Sequence, residues 1–131
     1  MEKTMNEVMN RFREIIFNEE FDMIVAIANG GMVPAAIINQ RLQKDIYLLK
    51  INLRDDCQRP KYDSPKLLSP VDFPYQGKNI LLVDDRIKTS STIKFACELL
   101  KEAKSIKTFA VNGNADYALY DESCFSFPWI V

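Results

Sequence analysis

Three short apolar runs, 22–28 (DMIVAIA), 46–51 (IYLLKI) and 79–83 (NILLV), alternate along the chain with longer stretches of helical periodicity. Runs of that length, nearly uninterrupted in Ile, Leu and Val, read as strands buried on both faces, as the interior of a parallel sheet requires. A fourth strand is expected at 106–111. Thr4 and Glu7 have the spacing of a capping box, and Met5, Val8, Phe12, Ile15 and Ile16 recur on one face, so a first helix should run to about Asn18. A second helix is expected over 33–42, with Pro34 tolerated in its first turn. A third is expected over 92–103, where Ile93, Ala96, Cys97, Leu100 and Ala103 share a face. Strands alternating with helices imply an α/β domain: a mostly parallel twisted sheet flanked by helices, followed by a tail with aromatic-rich pieces at 116–120 and 124–131. At 131 residues the chain is long enough for a single domain, 1–131, and too short for two ordinary ones.

The stretch 52–78 breaks this pattern. Pro60, Pro65, Pro70 and Pro74 exclude a regular helix or a central strand there. A loop of that length inside a compact domain is usually functional or mobile.

Composition narrows the chemistry. Seventeen Lys and Arg against eighteen Asp and Glu leave a formal net charge of -1, which removes the broad attraction a generic nucleic-acid binder uses. A local phosphate site needs only a few aimed donors and is not excluded. The chain has no histidine, so His-based triads, His-ligated zinc and imidazole acid–base chemistry are all ruled out. Cys57, Cys97 and Cys124 are far apart with no CxxC, and read as reduced thiols of a cytoplasmic protein, with one disulfide as the lesser alternative. Charges run throughout the first seventeen residues, which fit neither a signal peptide nor a membrane span.

In open parallel sheets, ligands sit beyond the carboxyl ends of the strands. Two strand ends stand out. Asn29-Gly30-Gly31 lies between the first strand and the second helix, where paired glycines allow close backbone approach and the helix start offers N–H groups to an anion. It also reads as an ordinary tight turn, and GxGxxG is absent. The second end is Asp84-Asp85-Arg86-Ile87-Lys88-Thr89-Ser90-Ser91-Thr92. Two adjacent carboxylates repel, and sugar hydroxyls, a cation or a nearby Lys or Arg can compensate them. The hydroxyl-rich bend that follows, running into a helix start, makes a cradle for a phosphate monoester. Together they suit a ribose 5-phosphate; the alternative is a solvated acidic turn before a capped helix. No Walker A loop is present.

NILLVDDRIKTSST resembles the phosphoribosyl pyrophosphate (PRPP) signature of type I phosphoribosyltransferases. IANGGMVPAAIINQRL resembles the pyrophosphate loop of the same family, and FSFPWIV is similar to the ending of its bacterial xanthine/guanine branch. The three matches fall in family order and cover most of the chain. The resemblance implies a pentosyltransferase that moves the 5-phosphoribosyl group of PRPP to a nitrogenous base, most readily a purine-like one in purine salvage, and releases pyrophosphate. The alternative is a non-catalytic, PRPP- or nucleotide-binding regulatory homologue of the same fold. It further implies Mg²⁺ carried by PRPP without a dedicated protein ligand, PRPP and a nucleobase as small-molecule partners, and a homodimer as the common state of relatives. No nucleic-acid or membrane partner is implied.

Residue by residue, the resemblance assigns Asp84 and Asp85 to the ribose hydroxyls and places Lys88 with them among the catalytic groups. Lys88, Thr89, Ser90, Ser91 and Thr92 would surround the 5-phosphate, and Asn29, Gly30 and Gly31 would meet the pyrophosphate, with a cis peptide expected between Asn29 and Gly30. Arg54, Arg59, Lys61 and Lys66 fall in the 52–78 stretch, which would be the mobile loop over the sugar. Residues 112–131 would form the hood, with Asn112, Cys124 and Phe125 toward the base. The chain departs from the family pattern at several points. Lys88 stands where purine members often carry an aspartate, and Ser90 where glycine is usual. Arg86 replaces an apolar residue and is placed to neutralise Asp84 or Asp85, and Asn29 stands where a basic residue is common.

Overall fold

A computed structural model describes residues 2–52 and 66–131. The elements are α1 (Met5–Glu14), β1 (Met23–Ala28), α2 (Met32–Leu42), β2 (Asp45–Asn52), β3 (Lys66–Leu67), β4 (Asn79–Ile87), α3 (Ser91–Leu99), β5 (Ser105–Gly113) and β6 (Tyr117–Tyr120). The strands form one sheet in the order β3-β2-β1-β4-β5-β6, parallel except for the short antiparallel edge β3. The expected α/β sheet is therefore present.

The chain leaves β1 toward β2 on one side, then returns to place β4 on the other. Right-handed crossovers in opposite directions put α2 and α3 on opposite faces. Alternation along the strands follows. Ile24, Ala26, Leu81, Val83, Phe109 and Val111 meet α1 and α2 on one face. Met23, Val25, Ile27, Ile80 and Leu82 meet Ala96 and Leu100 of α3 and its flank on the other. The order of strands reverses between β1 and β4, so a crevice opens at their carboxyl ends.

Element lengths depart from the sequence reading where tertiary contacts intervene. The Thr4–Glu7 capping box forms with both of its bonds. However, α1 stops at Glu14 rather than near Asn18. Phe17 turns inward against Tyr117, Phe21 and Phe109, and Arg41 donates to the freed Phe12 and Ile15 carbonyls at 3.0 and 2.7 Å. Likewise α3 ends at Leu99, and the chain closes through tighter bonds from Lys101 to Glu98 and Ala103 to Leu100. β4 runs on through the two aspartates to Ile87, because β5 pairs with it that far, Arg86 opposite Asn112 and Ile87 opposite Gly113. The tail piece at 117–120 is a parallel edge strand, tied at its start by Asp116, whose carboxylate accepts from the Thr108 amide at 2.9 Å.

Candidate active site

β1 pairs with β4 only as far as Val83. Beyond that point β4 continues alone on its β1 side, and the turn after β1 curls over the vacated edge. The Gly31 amide returns to the Ile27 carbonyl at 2.7 Å and Met32 to Asn29 at 3.1 Å. The contact is close enough to demand glycine at 31, and at 30 it leaves room for a side chain only if Asp85 moves. A Cβ on Gly31 would stand 2.2 Å from the Val83 carbonyl oxygen, and one on Gly30 would stand 2.6 Å from a carboxylate oxygen of Asp85. The two candidate motifs, 55 residues apart from Gly30 to Asp85, are thus in contact. The cis peptide lies between Ala28 and Asn29, one bond earlier than expected. The reversal is closed at the very end of β1 by the Gly31–Ile27 bond, so the turn is made before Gly30.

Asp85 lies against Gly30, while Asp84 lines a hollow of about 50 Å³ with Arg86, Ile87, Lys88, Thr89 and Thr92. The Asp85 amide donates back to Asp84 Oδ1 at 2.8 Å. Burial, and then the neighbouring Asp85 charge, hold the Asp84 carboxyl well above the usual carboxylate range. Arg86 offsets this only from a distance. Its Nη2 donates to the Phe125 carbonyl at 2.9 Å and its guanidinium lies 4.6 Å from the Phe127 ring centre. Among the described residues it forms no ion pair with either aspartate, so the expected neutralisation by Arg86 is replaced by a contact with the tail.

The phosphate side is open. Lys88, Thr89, Ser90 and Ser91 are exposed and Thr92 is half-buried. The Thr89 and Ser91 hydroxyls are 2.9 Å apart. Ser90 begins α3 at φ -86° without a side-chain cap, so a serine replaces the usual glycine with no left-handed backbone to support. α2 likewise begins at Gly31 without a side-chain cap. Two helix starts without side-chain caps therefore flank the acids, an arrangement that favours anions, more at α3 than at α2, where the Gly31 and Met32 amides already have carbonyl partners and Pro34 has no N–H. Asn29 is exposed at the rim of the α2 start.

On the base side, Asn112 and Phe125, expected toward the base, both have partners within the protein. Asn112 is 3% exposed; its amide donates to Glu122 O at 3.1 Å and its oxygen accepts from Glu122 N at 3.0 Å. Its polar atoms are engaged in holding the tail rather than presented to a ligand. Phe125 is buried, edge-on to Tyr120 and Phe127 at 5.2 and 5.4 Å, because the tail folds into the α1 core instead of standing free. Cys124 is exposed between these two anchored positions. Lys3, which no sequence pattern singles out, pairs with Glu122 at 2.8 Å and lies 4.6 Å from the Tyr120 ring. Its partners are more than a hundred residues away, so no local signal could have revealed it. Arg54, Arg59 and Lys61 lie outside the described residues, and Lys66 is exposed on the edge strand β3.

An open parallel sheet with paired acids and two helix starts at its switch point defines a binder of phosphorylated sugars or nucleotides. The phosphoribosyl transferase domain family matches this chain over residues 2–129. The chain belongs to that family, a class of PRPP-dependent glycosyltransferases. It is 27% identical over 118 residues to a xanthine-guanine phosphoribosyltransferase of Idiomarina loihiensis, covering 85% of this chain and 72% of that protein. Over 95 residues it is 30% identical to an orotate phosphoribosyltransferase of Sulfurisphaera tokodaii, covering 72% of this chain and 44% of that protein. A purine phosphoribosyltransferase from Pyrococcus horikoshii superposes with a TM-score of 0.81 at 22% identity, over 98% of this chain and 93% of its own. The chain spans about half the length of several curated relatives it matches.

Proposed function

We propose that this chain transfers the 5-phosphoribosyl group of PRPP to a nitrogenous base, a purine-like one by preference, and releases pyrophosphate. The observation that carries the reading is the contact of Gly30 with the Asp85 carboxylate, which joins the pyrophosphate-side turn to the ribose-side acids. In the reaction the bond from C1 to the pyrophosphate oxygen breaks and a bond from C1 to the base nitrogen forms. Positive charge develops on the sugar between the two events, so the protein's work is to orient both reactants and stabilise the departing anion.

Asp84 and Asp85 accept hydrogen bonds from the ribose 2- and 3-hydroxyls. The N–H groups and hydroxyls of 88–92 hold the 5-phosphate, and the start of α2 with Asn29, Gly30 and Gly31 receives the pyrophosphate. Lys88 adds a cation on the phosphate side. As an ammonium it has only donors, so the base proton leaves to pyrophosphate or water rather than to Lys88. Among the described residues no group of three carboxylates or thiols could hold a metal alone. Asp84 or Asp85 would be the residues to hold an Mg²⁺ arriving with PRPP, a hard cation that takes oxygen ligands. Such an ion would supply charge neutralisation for the leaving pyrophosphate.

Of the 52–78 stretch, Lys66–Leu67 pair as β3 and Phe73 is buried against Tyr47, so only the part before β3 is proposed as the loop that covers the sugar; 112–131 is proposed as the hood on the acceptor side, held by Asn112 rather than presenting it. A cytoplasmic location and a homodimer belong to the same proposal; among the described residues no helix is long and apolar enough to cross a membrane.

Pyrophosphate release measured with PRPP, Mg²⁺ and a panel of purines, pyrimidines and orotate tests the reading. Turnover on one class of base is expected, and the D84N/D85N double variant should lose PRPP binding while remaining folded. The second reading, a regulatory binder without turnover, is favoured by Asn112, whose polar atoms already have partners. Tight PRPP binding with no release on any base would establish it instead.

A further inference from the structure

Arg86 is a guanidinium on a strand whose neighbours are core residues, and its contacts run in one direction. Nη2 donates to the Phe125 carbonyl, and the planar group lies over Phe127, which in turn stacks on Trp129 at 5.2 Å and 8°. Its register partner on β5 is Asn112, which binds Glu122 from the adjacent strand. Two neighbouring positions at the ligand end of the sheet therefore grip consecutive parts of one tail segment. The Nε–H of Arg86 is buried and meets no acceptor among the described residues. An unmatched buried donor is unfavourable, and an apolar side chain there would cover Phe127 without it. Packing against Phe127 alone therefore does not account for an arginine here.

We propose that Arg86 is a positioning residue that ties the tail segment 122–127 to the strand carrying the ribose acids, and so sets the acceptor side against the sugar. The inference rests on the reading of that segment as the acceptor-side hood. Arginine suits the task because its fork donates to a carbonyl while its face stacks on a ring, which a lysine does only in part.

The test compares the wild type with R86M, which removes donors and charge at similar length, and R86K, which keeps the charge. With the base that the wild type uses, R86M should raise the acceptor KM at least about tenfold, several-fold more than it weakens PRPP affinity by calorimetry. R86K should recover part of the acceptor KM. Trp129 is the only tryptophan, so acrylamide quenching of its fluorescence reads the tail directly, and R86M should increase it. An unchanged acceptor KM in an active protein overturns the proposal, as do acceptor and PRPP constants that worsen together. Should the wild type turn over no base, the functional reading fails by itself. Quenching then decides: unchanged in both variants, it overturns the tie; increased in R86M and partly restored in R86K, it supports it.

Discussion

Gly30 and Gly31 are adjacent, yet they resist side chains for different reasons. A Cβ on Gly31 would collide with the Val83 carbonyl and the Ile27 backbone, which cannot withdraw without unpairing β1 from β4. A Cβ on Gly30 would meet the Asp85 carboxylate, the end of a side chain that can rotate away. Gly31→Ala should therefore lower stability by about 2 kcal/mol or more, whereas Gly30→Ala should leave thermal stability nearly intact and weaken PRPP binding at least about tenfold. Thermal melts beside calorimetry separate the two, and equal melting losses would show that Asp85 is not the yielding partner. Asp84 carries a second prediction. Its carboxyl is held high in the folded protein by burial and by Asp85, so through the window above the ordinary Asp value the native state keeps a proton that the unfolded chain has lost. Stability from this group is then full below the unfolded value and lost as pH rises through the folded one. Asp84→Asn cannot ionise. The ligand-free variant should melt higher at pH 7 and lose less stability as pH rises above the ordinary Asp value. A melting curve that follows the wild type at every pH would refute this.

Elements were legible wherever their cause is local. The capping box at Thr4 and Glu7, the strand at 22–28 and the helix behind Pro34 all depend on residues within one turn or one run, and each formed within a few residues of expectation. Boundaries moved where the cause lies elsewhere in the chain. α1 is cut short by aromatic partners from β5 and β6, and β4 is prolonged by β5 beyond the point where β1 releases it. The candidate site divides in the same way. The contact of Asp85 with Gly30 follows from two motifs at neighbouring strand ends, and the parallel order places them together once the sheet is known. Asn112 was readable as a polar group at a strand end, but not its two bonds to Glu122, since a side chain's partner in a tail ten residues away depends on how that tail folds. Arg86 was visible as an oddity of composition in an apolar position. Its direction, toward Phe125 and Phe127 rather than toward the acids beside it, exists only in three dimensions.

At the scale of the whole molecule, the two ends of the chain close over one face of the sheet. Glu2 bridges to Ser126, Lys3 pairs with Glu122, and Arg11 donates to Leu119 at 3.0 Å, so the first and last elements are fastened to each other as well as to β5. The ion pair is partly solvated and contributes little alone. The apolar part is larger. Phe127 is 2% exposed, with Phe125 edge-on, Trp129 stacked and Phe12 tilted against that indole. Because the tail is a structural wall of the α1 core, emptying its centre should destabilise the entire domain and not merely loosen the tail. Phe127→Ala is expected to remove about 3–5 kcal/mol, read as a lower urea midpoint with an unchanged slope. Trp129 fluorescence and backbone circular dichroism should report one coincident transition. If the fluorescence change comes well before the loss of secondary structure, the tail is a separable flap, and its grip on the acceptor side would have to be reconsidered along with the ties at Arg86 and Asn112.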